Sequence, residues 1–314
     1  MKPMGLLLAG VARWLQTNLP PSAWRRKPLT SNRSPTNNSF SIDQNLCRLH
    51  EHASRFLKVL EGIQPSLQAH ALNVEPRDFG IVLALFYVQA IKTFRALHKL
   101  TSPEEPLGLH GFVLSRMLFE NCVTAYWIAA LPKERSELFL EFEFIAEVQK
   151  GIICRRIDDS FFDPAKEIQK EIAEQFQRRQ FFDTLPKFTE KSVRTRSDLF
   201  RLRWTDKQLS GMVADPDLER AQPQLRKIYD TMVTFANSAI HGTPFSAFSH
   251  LSDDLEFQFG PDSEFARYSL SWGMDCVHCL SVLEDRYLHT EVSSALAAII
   301  QDLNQGHLTR TGHE

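Results

Sequence analysis

Apolar residues recur at three- and four-residue steps from Ile42 to the end of the chain, with prolines and glycines between the runs. That period admits amphipathic helices stacked on one another and little else. The spacing predicts a helix over about 43–63 with Leu46, Leu49, Phe56, Leu57 and Leu60 inward and Pro65 as its stop. A second opens near Pro76, a residue suited to a first helical turn, and carries Phe79, Val82, Leu83, Phe86, Ala90, Phe94 and Leu97 inward to about Leu100. After a loop over 102–111, a third over about 109–131 is apolar nearly all round, through Phe112, Leu114, Met117, Leu118, Val123, Ala125 and Ile128, which makes it the central helix.

Further on, helices are expected from Pro132 to about Ile157, over 163–182 with a charged, solvated face, over about 222–240, over 262–288 and over 290–305. Residues 183–215 read as loop plus short helices and hold the clustered Arg194, Arg196, Arg201 and Arg203. Only Leu255–Phe259 alternates like a short strand. The fold expected is therefore all-α, a multi-helix up-and-down bundle over 42–314 with at most a very short strand element, and 43% hydrophobic content with 23 Phe supplies its core.

Residues 1–41 are of another kind. The first 42 residues contain six basic side chains and no acid, so a net charge of −2 leaves −8 on the remainder. Met4, Leu7, Leu8, Val11, Leu15 and Leu19 follow helical spacing, and a Pro-, Ser- and Asn-rich linker follows over 20–41. This N-terminal stretch reads as a flexible arm, as a membrane-surface contact through residues 4–19, or as a targeting leader. No run of about 18 uncharged apolar residues is present, so no transmembrane helix is expected. Five cysteines, an odd number set mostly inside apolar patterns, favour reduced thiols and a cytoplasmic location, with peripheral attachment to a membrane as the alternative.

Two polar pairs interrupt the apolar helices. Arg116 and Glu120 are spaced i,i+4, as are Asn237 and His241, so each pair shares a helical face. With Phe112 at zero on a wheel, Arg116 falls at about 40° and Glu120 at about 80°, between Val123 at about 20° and Val113 at about 100°. That places the pair inside the apolar arc. It reads either as a buried ion pair that pins packing or as a guanidinium held by Glu120 and aimed at an anion. With Ile228 at zero, Asn237 at about 180° and His241 at about 220° lie on the rim of their own helix. The helix-terminal imidazole is then either a dipole-stabilised boundary residue or a proton carrier working beside Asn237.

Weaker signals are set aside. Cys276 and Cys279 have CxxC spacing without a second ligand pair, and Glu143 and Glu147 lack the Glu-x-x-His partners of a di-iron bundle, so no metal and no cofactor is expected. No P-loop, GxGxxG, GxSxG or EF-hand motif occurs.

The run Arg116-x-x-x-Glu120, Trp204, Tyr229 and Asn237-x-x-x-His241-Gly242 resembles the bacterial family catalogued as domain of unknown function 5677, over about residues 80–250. More distantly the chain is similar to HEPN helical domains, many of them metal-independent RNases, whose signature is an Arg, a neighbouring polar residue and a His a few positions on. Asn237 and His241 match the last two, whereas Thr234, Phe235 and Ala236 stand where the Arg belongs. The resemblance implies a proton-carrying role for His241 beside Asn237; the place of Arg116 in the apolar arc leads us to expect that it supplies the missing charge from the neighbouring helix, giving a site of Arg116, Glu120, Asn237 and His241 for RNA or a nucleotide. Metal-independent RNA cleavage and a homodimer would go with it. The reading of another class is a non-enzymatic helical interaction module in which both pairs are structural.

Overall fold

The computed structural model describes residues 43–140, 142–143, 205, 207–233, 236–237 and 262–311, with side chains as far as 305. Several expectations fall outside these residues: the arm and linker of 1–41, the helix over 163–182, the four clustered arginines, the Leu255–Phe259 strand, Cys154, Trp204 and His241. What is described is all-α, helices packed on helices in a bundle.

Helix α1 (Gln44–Gly62) begins where Asp43 turns its carboxylate onto the backbone N–H groups of Asn45 and Leu46, at 2.9 and 3.2 Å. Such a cap satisfies donors that a helix start leaves orphaned, a contribution of about 1 kcal/mol. Leu46, Leu49, Phe56, Leu57 and Leu60 are all buried. The helix stops at Gly62, within a residue of where the pattern and Pro65 put its end. A further short helix, α2 (Gln64–Leu72), starts at once with Pro65 in its first turn, where a missing N–H costs nothing.

Helix α3 (Arg77–Leu100) follows Pro76 and buries each of the seven apolar residues its pattern singles out. Among the described residues it is, against expectation, long and apolar enough by length and mean hydropathy to cross a membrane. Its apolar face is spent on α1, α2, α4 (Gly108–Ala129) and α8 (Ser263–Leu288), while Arg77, Lys92, Arg95 and Lys99 look outward. The loop before α4 is shorter than the sequence pattern suggested, because Gly108 already belongs to the helix.

Helices α4 and α8 make the most extensive contact of the bundle. Their close approach depends on glycine: a Cβ on Gly108 would collide with the backbone of Ala266, and one on Gly111 with Ser269 Oγ. Ser115 Oγ crosses the same seam and donates to Ser269 O at 2.6 Å. α4 is central, with fourteen buried residues, yet Met117 is 41% exposed and Leu114 only partly buried against the core, so the helix does keep a side that reaches solvent.

Helix α8 also carries Glu284 into the core with both carboxylate oxygens unpartnered. Burial pushes this carboxyl far above the usual carboxylate range, and neighbouring Asp285 acts in the same direction. Cys122, Cys276 and Cys279 are buried free thiols; burial holds the first two protonated and pushes Cys279 up to about 12. They pack; they do not react.

The last helix, α9 (Val292–Thr311), returns to the first. Arg55 pairs with Asp302 at 2.6 Å and Arg48 Nη2 donates to Leu303 O at 3.2 Å. Between α4 and α8 lie shorter pieces, α5 (Leu209–Val213), α6 (Pro216–Ala221) and α7 (Gln224–Ile228), the last running into a π turn over Tyr229–Val233.

Candidate functional site

One stripe of α4 meets Asn237 of the later helix. Arg116 Nε donates to Glu120 Oε1 at 2.7 Å, and Arg116 Nη1 donates to Asn237 Oδ1 in a short contact across 121 residues of sequence. Among the described residues Nη2 has no hydrogen-bond partner, so part of a five-donor fork is left uncommitted there.

The interior position that the wheel assigned to Arg116 and Glu120 is corrected by their exposure, 22% and 43% of the two side chains. A wheel reports direction and not whether a neighbour arrives to cover it; here the arc that holds Val113, Arg116, Glu120 and Thr124 opens into a cleft. Asn237 is also displaced from its expected place. A π turn over Tyr229–Val233 holds one residue more than an α turn, so the wheel's step of about 100° per residue, which put Asn237 at about 180°, does not carry over from Ile228. Asn237 thereby turns toward α4 beside fully buried Ala236, instead of standing opposite Ile228.

The cleft has a volume of about 490 Å³. One wall is Arg116, Glu120 and Thr124 of α4, in steps of four residues, and the other is Asn237, Val233 and Tyr229, in the same steps. Since Arg116 meets Asn237 while Phe119 and Tyr229 approach ring to ring at 6.2 Å, the two stripes run antiparallel. The segment before and within α5 closes the cleft through Lys207, Gln208, Leu209, Ser210 and Met212, and Thr205 and Phe142 complete the lining.

Sequence reasoning missed Thr124, Lys207, Gln208 and Ser210. Thr124 could have been found as the next i+4 step after Glu120; nothing in the local pattern pointed to the others. The ammonium of Lys207 lies 5.1 Å from the Trp127 ring centroid and 3.7 Å from Asp215, a long ion pair. Arg135 stacks on the same indole at 3.4 Å. Among the described residues no group of three or more His, Cys, Asp or Glu side chains is arranged to hold a metal ion. What the cleft offers instead is a cationic fork paired with one carboxylate, an ammonium, hydroxyls, two amides and two aromatic rings, a set able to hold a phosphate-bearing ligand.

A family model described as a family of unknown function, DUF5677, matches residues 80–259, which takes in both stripes of the cleft. No curated protein and no solved structure matches the chain.

Proposed function

Since the chain belongs to the family of unknown function DUF5677, whose description assigns it no activity, we propose from the cleft itself that the protein binds RNA or a nucleotide through Arg116. The single observation that carries this is the state of the Arg116 guanidinium, oriented on two sides by Glu120 and Asn237 with Nη2 left over inside a cleft. A preoriented, partly desolvated fork loses little freedom on gripping a phosphate. In HEPN terms, Arg116 stands in from α4 for the Arg missing before Asn237. The chemistry this would support is metal-independent cleavage, with Arg116 on the phosphate and His241, four residues past Asn237, carrying the proton.

The reading in which the pairs merely lock the bundle draws less support. A locking ion pair is worth most when fully buried, and this one is in reach of solvent, where such pairs contribute about 0–1 kcal/mol.

Fluorescence anisotropy with a short single-stranded RNA, on wild type and Arg116→Ala, tests binding. Loss of about 10-fold or more in affinity at unchanged thermal stability is expected; equal affinity would end the proposal. Incubation of total RNA in EDTA with wild type and His241→Ala then separates cleavage from binding alone. RNase activity lost in a folded variant is the catalytic outcome. An intact substrate with wild type, or a protein monomeric in solution, would leave a binding module.

A further inference from the structure

The cleft holds a second cation that the Arg116 site does not use. Arg116, Glu120 and Thr124 mark a groove about 12 Å long at 1.5 Å of rise per residue. Arg116 stands at one end. Lys207 stands at the other, because its ammonium lies over Trp127, three residues past Thr124. Its hold there is loose, a 3.7 Å pair with Asp215 and the face of an indole, and its side chain is 44% exposed. Between the cations Thr124, Gln208 and Ser210 line the groove with side chains that make no hydrogen bond among the described residues, and Tyr229 and Phe142 present rings.

A single phosphate reaches hydrogen-bond partners at about 3 Å and cannot bridge charges set on the order of 10 Å apart. We propose that the groove takes a single strand of RNA several nucleotides long, laid along α4, with one backbone phosphate on Arg116, a later one on Lys207, and bases stacked on Tyr229 or Phe142. This rests on the anion-binding reading of Arg116 and adds Lys207 as the residue that makes the site select a strand over a mononucleotide. Charge at both ends with aromatic surface between them is how proteins hold single strands, and an acidic peptide would have no use for the rings.

The test compares uridine monophosphate with hexauridylate on the full chain. Wild type should bind the hexamer at least tenfold more tightly. Arg116→Ala should weaken both ligands, whereas Lys207→Gln should weaken the hexamer about 5–10-fold, lower its salt-dependence slope by about 0.7, and leave the monophosphate unchanged. Asp215→Asn keeps a capping side chain on α6 and releases the lysine, so it should tighten the hexamer. A Lys207→Gln variant of wild-type melting temperature and undiminished hexamer affinity overturns the strand proposal, as does equal wild-type affinity for the two ligands or equal competition by polyglutamate. No binding of either ligand by wild type overturns the underlying Arg116 reading as well.

Discussion

Arg116 and Asn237 lie 121 residues apart and meet through Nη1 and Oδ1, so one hydrogen bond ties the central helix to a residue four positions past the π turn. Asn237→Ala should leave Arg116 charged but less well aimed. The expected result is RNA affinity reduced by about 1–2 kcal/mol, less than for Arg116→Ala, with a melting temperature within a few degrees of wild type. Titration of both variants and of the double mutant checks it; additive losses would mean that the two residues do not act together.

The π turn makes a sharper prediction. Thr231 is exposed and its hydroxyl returns to its own helix, to Lys227 O at 2.9 Å and Ile228 O at 3.2 Å, so deleting it should let the turn close to an ordinary α-helix. Asn237 would rotate by about 100° away from α4. Helical content by circular dichroism should persist while RNA binding falls to the level of Asn237→Ala; binding at wild-type strength would show that the π turn does not place Asn237.

Glu284 should cost stability. Replacement by methionine removes an unpartnered buried carboxyl at similar volume and should stabilise the protein by about 1–3 kcal/mol in urea unfolding. Because its folded-state pKa is raised, wild-type stability should fall as pH rises above the ordinary value of 4.5 and keep falling until the folded pKa is passed. The variant should lack that decline.

Asp275 gives a second window at known bounds. Burial pushes its carboxyl from 3.8 up to about 6, with Lys227 pulling partly back. The native state therefore holds a proton the unfolded chain releases, and stability is lost as pH climbs from about 4 to about 6. Asp275→Asn should lessen the fall in melting temperature between those values, leaving the part that Glu284 contributes above 4.5; an unchanged slope would assign the effect elsewhere.

The seam between α4 and α8 can be probed by Gly111→Val, whose side chain would run into Ser269. Overpacking should destabilise by about 1–3 kcal/mol. A melting temperature within a degree of wild type would mean that the helices can part without cost.

The helices themselves were legible in the sequence because their inward faces repeat: α1, α3 and α8 begin within a residue or so of where capping and periodicity put them. The short α2 was not foreseen, since the same ring that ends one helix can open the next. The site was half legible. Polar pairs in apolar runs identified Arg116, Glu120 and Asn237, but a wheel assumes an unbroken α-helix, and the π turn broke that assumption between Ile228 and Asn237. Lys207 carries no local signal at all; only the return of the chain over Trp127 brings it to the cleft.

The grip of Arg48 and Arg55 on Asp302 and Leu303 has a topological consequence. First and last helices of the described bundle are neighbours, so its path through space is nearly a closed circuit. A short splice from α9 back to α1, with new ends opened in the surface turn at 101–107, would thread the same helices in rotated order. The order in which the helices are synthesised would change while the Arg116 cleft, built from interior stretches of the circuit, would remain continuous.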